Sequence, residues 1–90
     1  MMYVVKTEVT AGRVNELAQK IINHEIPSVE GNIVFVSTDG SFGYNLVEGA
    51  SEEQVRQKFA PYHDYITLKE VTPVISMGQF LERWKLRQAA

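Results

Sequence analysis

Ninety residues suffice for one small domain, 1–90, so any binding cleft must lie within a single stack of layers or between subunits. A hydrophobic share of 44% and a charged share of 22% are globular values, and they exclude a disordered tail, a collagen-like fibre and a membrane span. Nine Lys and Arg against eleven Asp and Glu leave a net charge of -2, too little basic excess for gripping phosphates, and the absence of cysteine removes disulfides, thiolate nucleophiles and Cys-ligated zinc.

In chain order, Met2 to Val9 is rich in Val and Tyr, lacks helical spacing, and reads as a first strand closed by Thr10-Ala11-Gly12. From Arg13 to Glu25 the residues Val14, Leu17, Ala18, Ile21 and Ile22 recur at helical spacing and form one apolar stripe, with Pro27 marking the end. Ile33-Val34-Phe35-Val36 is a short β-forming run. Asp39-Gly40 follows it as a two-residue type I′ hairpin turn, and Phe42 to Glu48 returns. Ser51-x-x-Gln54 is a capping box that opens a second helix, with Val55 and Phe59 as its stripe and Pro61 as its stop. Tyr65 to Val74 is a fourth strand. A second capping box, Ser76-x-x-Gln79, starts a third helix with Met77, Phe80, Leu81 and Trp84 on one side.

The order β-α-β-β-α-β-α predicts an α+β fold: a ferredoxin-like βαββαβ four-stranded antiparallel sheet with two helices on one face and an extra C-terminal helix. Tyr3-Val4-Val5 and Ile33 to Val36 are apolar on both sides, so the open face needs a cover. The cheapest cover is the same face of a second copy, which predicts a homodimer built as a dimeric α+β barrel.

The hairpin turn sets Ser37 opposite Phe42, Phe35 opposite Tyr44 and Ile33 opposite Leu46, all on one face. Large rings suit packing under helices, so the smaller set is expected on the partner side: Val4, Lys6, Val34, Val36, Asn45, Val47, Thr67 and Lys69. Within that space Lys6 and Lys69 would favour a carboxylate, Asn45 a carbonyl, and Val34 and Val36 an apolar body. The alternative for the two lysines is to reach the rim with solvated heads.

His63, beside Asp64 and between Tyr62 and Tyr65, is the weak candidate for a general base; the catalytic set is otherwise unknown. Two histidines without cysteine or helical H-x-x-x-H spacing give no metal site, and no cofactor is expected. Arg83, Lys85 and Arg87 read as a solvated face of the last helix, and Phe80 with Trp84 as its anchor on its own subunit or its mate. No nucleic acid or membrane partner is expected. The start of the chain has no signal-peptide pattern, which points to a cytoplasmic location.

Two stretches, Gly43-Tyr44-Asn45-Leu46-Val47-Glu48 and Glu70-Val71-Thr72-Pro73-Val74, resemble a small bacterial domain-of-unknown-function family within the dimeric α+β barrel superfamily. Where that family often has tryptophan ahead of strand four and tryptophan or histidine at the end of strand two, Tyr62-His63-Asp64 and Ser37-Thr38 stand here. The resemblance implies a ferredoxin-like homodimer. The superfamily also holds cofactor-free monooxygenases, isomerases, haem-degrading enzymes and ligand-sensing members. The reading that follows is a dimeric small-molecule-binding module holding an apolar or carboxylate-bearing ligand between the sheets, leaning away from an enzyme. Its alternatives are a cofactor-free monooxygenase or isomerase acting on an aromatic or lactone substrate, and a structural or regulatory dimer without a ligand.

Overall fold

A computed structural model describes residues 1–29 and 31–89. Strand β1 (Met2–Val9) lies in the middle of a four-stranded antiparallel sheet, flanked by β3 (Phe42–Glu48) and β4 (Ile66–Val74), with β2 (Ile33–Val36) at the edge beside β3. The order β2-β3-β1-β4 is compatible with a ferredoxin-like arrangement. Helix α1 (Val14–Ile22) connects β1 to β2, α2 (Glu52–Lys58) and a short 3-10 turn over Ala60–Tyr62 connect β3 to β4, and α3 (Met77–Ala89) follows β4. No helix among the described residues is long and apolar enough to cross a membrane.

Both capping boxes form. Ser51 Oγ accepts from the Gln54 N–H at 3.1 Å, and Gln54 Oε1 reaches one residue further back than the motif demands, to the Ala50 N–H. Before α3, Ser76 Oγ accepts from the Gln79 N–H at 3.1 Å and Gln79 Oε1 accepts from the Ser76 N–H at 3.0 Å.

Helix α1 ends at Ile22, earlier than Pro27 suggests. His24 takes the left-handed conformation (φ 56), its N–H donates to Ile21 O at 3.1 Å, and the Glu25 N–H donates to Lys20 O at 2.9 Å. This is the Schellman pattern, which satisfies the last carbonyls before the proline is reached.

The hairpin pairs as the sequence predicts, Ile33 with Leu46 and Phe35 with Tyr44, but its turn is different. The Gly40 N–H donates to Ser37 O at 2.8 Å, and only Gly40 of the central pair has positive φ, at 77°. A type I′ turn would need Asp39 there as well. Instead Asp39 Oδ1 accepts from Ser37 Oγ, the Ser41 N–H and Ser41 Oγ at 2.8, 3.0 and 2.6 Å, which closes a wider loop from its centre.

The core is small. Tyr3 and Val5 of β1 and Val47 of β3 pack against Val55 and Phe59 from the α2 side, with Ile66, Leu68 and Val71 around them. This places the helices on the sheet face that carries Tyr3, Val5, Thr7, Gly43, Asn45 and Val47. The opposite face carries Val4, Lys6, Phe35, Tyr44 and Leu46. The expected face assignment is therefore half reversed: Val4, Lys6, Thr67 and Lys69 lie on the open face, whereas Val34, Val36, Asn45 and Val47 lie under the helices. Side-chain size misleads because Leu17 of α1 and Phe59 at the end of α2 bring bulk from above the sheet, so a strand face with few large side chains, Tyr3 apart, packs beneath them.

Candidate functional site

Helix α1 stands off the sheet and leaves a cavity of about 600 Å³ between them. Its roof is the α1 stripe Val14, Leu17, Ala18, Ile21 and Ile22. Its floor is Thr7 and Val9 of β1, Gly43 and Asn45 of β3, and Val34 and Val36 of β2, while Phe59, Tyr62 and Ile66 close one end. Of the stripe, only Leu17 is buried; Ile21 and Ile22 remain 47% and 68% exposed, so the chamber opens beside the last turn of α1.

Small residues make the floor low. A Cβ at Gly43 would sit 2.5 Å from Thr7 Oγ1, so the close approach of β1 and β3 side chains at this point requires glycine. At the other end, a Cβ on Gly40 would meet Val14 Cγ1 at 2.8 Å, which brings the hairpin loop against the start of α1.

Two clamps hold α1 in its raised position. Arg13 donates to Asp64 O at 2.8 Å and to the Glu16 carboxylate at 3.1 Å, and its guanidinium lies 4.4 Å from the centre of the Tyr65 ring. The Tyr65 hydroxyl donates to Glu16 Oε1 at 3.3 Å. The hydrogen bond from Arg13 holds the Glu16 carboxyl below its ordinary pKa. At the far end, the Tyr62 hydroxyl donates to Pro27 O at 2.9 Å and fastens the loop after α1; partial burial pushes the Tyr62 pKa up.

Among the described residues, the polar atoms of the chamber wall are few and neutral. Asn45 is 6% exposed; its Nδ2 donates to Val5 O at 3.1 Å, so its Oδ1 faces Asn32, whose Nδ2 donates to it at 2.9 Å. The Val5 carbonyl can only accept, and this fixes the orientation of both amides in turn. Asn32 Oδ1 is then left buried without a hydrogen-bond donor among the described residues. Buried Thr7 makes only a long bond, 3.5 Å from Oγ1 to Gly43 O.

The five expected ligand-binding residues do not share one face. Val34, Val36 and Asn45 line the chamber, while Lys6 and Lys69 lie across the sheet from it. The Lys6 ammonium sits 5.0 Å from the Phe42 ring centre and 6.0 Å from that of Tyr44, and Lys69 pairs with Glu8 at 3.4 Å. A carboxylate held by these lysines and Asn45 together is therefore ruled out by the register of β1 on β3, which sets Lys6 opposite Tyr44 and Val5 opposite Asn45. His63 is outside the chamber, with its side chain 77% exposed, Nδ1 2.6 Å from Ala60 O and Nε2 3.3 Å from Asp64 Oδ1. The two neighbours meet in solvent, where they face no enclosed substrate. Sequence reasoning missed Asn32, Thr7 and Ala18; for Asn32 nothing in the local sequence signals that a loop residue caps the Asn45 amide.

On the open face a second hollow of about 510 Å³ lies where α3 leaves β4, between Met2, Leu46, Val74, Gln79 and Arg83. Along α3, Met77, Phe80, Leu81 and Trp84 are 45 to 72% exposed, so among the described residues this stripe is left largely unpacked.

No family model matches the chain, and neither curated proteins nor solved structures give a match.

Proposed function

We propose that this protein is a homodimeric small-molecule-binding module of the dimeric α+β barrel kind, with one ligand chamber per subunit between α1 and the sheet. The chamber carries this reading: a 600 Å³ apolar hollow with a few converging polar atoms is of the size and character that small ligands occupy. Its place differs from the space between two sheets that the sequence suggests, because the small strand residues face the helices.

The second copy covers the opposite face. Four strands spaced ~4.8 Å apart and about seven residues long present a footprint on the order of 450 Å². A stable dimer buries about 800 Å² per partner, and the exposed stripe of α3 supplies the remainder. The face is also self-complementary under a two-fold axis: Phe35, Ile33 and Tyr44 form an apolar patch, and Lys6 and Lys69 stand beside Glu8 and Glu70. Catalysis through His63 has no support from its position.

Filling the chamber tests the reading. Ala18→Trp places an indole in the roof from a helix residue that lines the chamber and is not part of the buried core. Apolar ligands that raise the melting temperature of the native protein are expected to leave that of Ala18→Trp unchanged, with sedimentation behaviour the same for both. Equal stabilisation of both proteins would remove the chamber as the binding site.

A further inference from the structure

The two edges of the sheet are built in opposite ways. At the β2 edge, β3 lies on the inner side, and the ladder that sets Ile33 opposite Leu46 and Phe35 opposite Tyr44 continues with the Ser37 N–H donating to Phe42 O at 2.9 Å. Bonded pairs alternate along an antiparallel ladder, so Ile33, Phe35 and Ser37 spend their backbone groups on β3. Val34 and Val36 therefore turn N–H and C=O outward, where no backbone group of the described residues bonds to them. All four residues of β2 are half or more exposed, and no charge stands anywhere from Asn32 to Thr38. The β4 edge instead carries Lys69, Glu70 and Pro73, and it is bulged at Lys69, since Glu70 opposes Lys6 and Leu68 opposes Thr7. Charges, proline and bulges keep an edge from pairing with another chain, and an apolar run without them invites it.

We propose that β2 pairs with β2 of a second copy, antiparallel about a two-fold axis at Phe35, and joins two four-stranded sheets into one of eight strands. Each copy offers Val34 and Val36, and the register that uses both sets Val34 of one copy opposite Val36 of the other. A shift one way calls on the Asn32 N–H, which already donates to Val29 O at 3.3 Å, and a shift the other way calls on Thr38, beyond the strand. In the chosen register the two Phe35 side chains are neighbours across the axis, Ile33 meets Ser37, and no charge opposes another. The apolar patch of Ile33, Phe35 and Tyr44 thus runs on from one copy into the next. The blunted β4 edge stops the ribbon at two copies. Four residues per copy make a contact far smaller than the ~800 Å² per partner of a stable dimer, so the pairing is weak and depends on concentration. It is separate from the association through the open face and stands whether or not that association forms.

Sedimentation equilibrium from micromolar concentration to about 1 mM tests it. The mass at the low end reads the open-face association alone; a doubling of that mass on concentration, with no larger species, is the result expected of the edge. Val34→Pro removes an N–H that the chain's own sheet does not use, and it is expected to abolish the doubling while circular dichroism stays native. A pair of charged variants tests the register without proline. Val34→Lys with Val36→Lys sets like charges opposite each other and is expected to abolish the doubling, whereas Val34→Lys with Val36→Glu sets opposite charges there and is expected to restore it. A constant mass up to about 1 mM overturns the edge pairing. So does a doubling that survives in a folded Val34→Pro protein, or one that responds alike to both charged pairs.

Discussion

Single residues set both the turn and the floor of the chamber. Asp39 shows how an exposed carboxylate can organise a loop: three donors from Ser37 and Ser41 converge on Oδ1 and hold its pKa at about 2, below the ordinary 3.8. Because the folded value is depressed, the contribution to stability is fully present above pH ~4 and is lost as pH falls towards 2. Asp39→Asn is expected to flatten the part of the stability profile between pH 4 and 2 measured by denaturant unfolding. An unchanged profile would mean that the serines do not favour the ionised form. Gly43 acts by what it lacks, since any side chain would strike Thr7 and raise the floor. Neither role is visible in a single-residue propensity: Asp-Gly correctly signals a hairpin, but the identity of the turn depends on two flanking hydroxyls.

At the scale of elements, boundaries follow local hydrogen bonding. Both Ser-x-x-Gln boxes were legible because capping involves atoms three residues apart. The C-terminus of α1 was less so, since a left-handed histidine closes it where glycine is the usual residue. His24→Gly removes the Cβ penalty and is expected to stabilise the protein by about 1 kcal/mol, read from the midpoint of urea unfolding. Destabilisation would indicate that the imidazole makes a contact worth more than the backbone strain. The strands divide differently. The β2–β3 register was readable from the hairpin, whereas the phase of that hairpin against β1 was not, because β1 and β3 are joined through 32 intervening residues that leave the register free. A one-residue shift exchanges every side chain between faces, and this is why Val34, Val36 and Asn45 parted from Lys6 and Lys69.

For the whole molecule, the balance of buried and exposed apolar surface is the governing quantity. Among the described residues only Val5, Val47 and Val55 have fully buried large side chains, while Phe35 is 72% and Leu86 71% exposed. A chain of this length buries only about 60–65% of the surface its unfolded form exposes. The proposed association through the open face would supply the missing core. Phe35→Glu sets like charges against each other across a two-fold axis and is expected to convert a two-chain species into one chain at micromolar concentration, as read by analytical ultracentrifugation. A native protein that already sediments as one folded chain would overturn the dimer. The proposed ligand chamber lies on the other side of the sheet, so stabilisation by apolar ligands is expected to survive in Phe35→Glu.

The amino-acid sequence by itself determined the elements, their order and the apolar character of both sheet faces, because periodicity, caps and hairpin pairing act over a few residues. Tertiary structure alone decided which face the helices cover and that α1 stands clear of the sheet. It also brought Asn32 from a loop onto Asn45 and left the chamber, among the described residues, lined by no charged side chain. These depend on the register between strands distant in the chain and on where α2 delivers Val55 and Phe59. Packing across such separations is settled by the fit of the whole core.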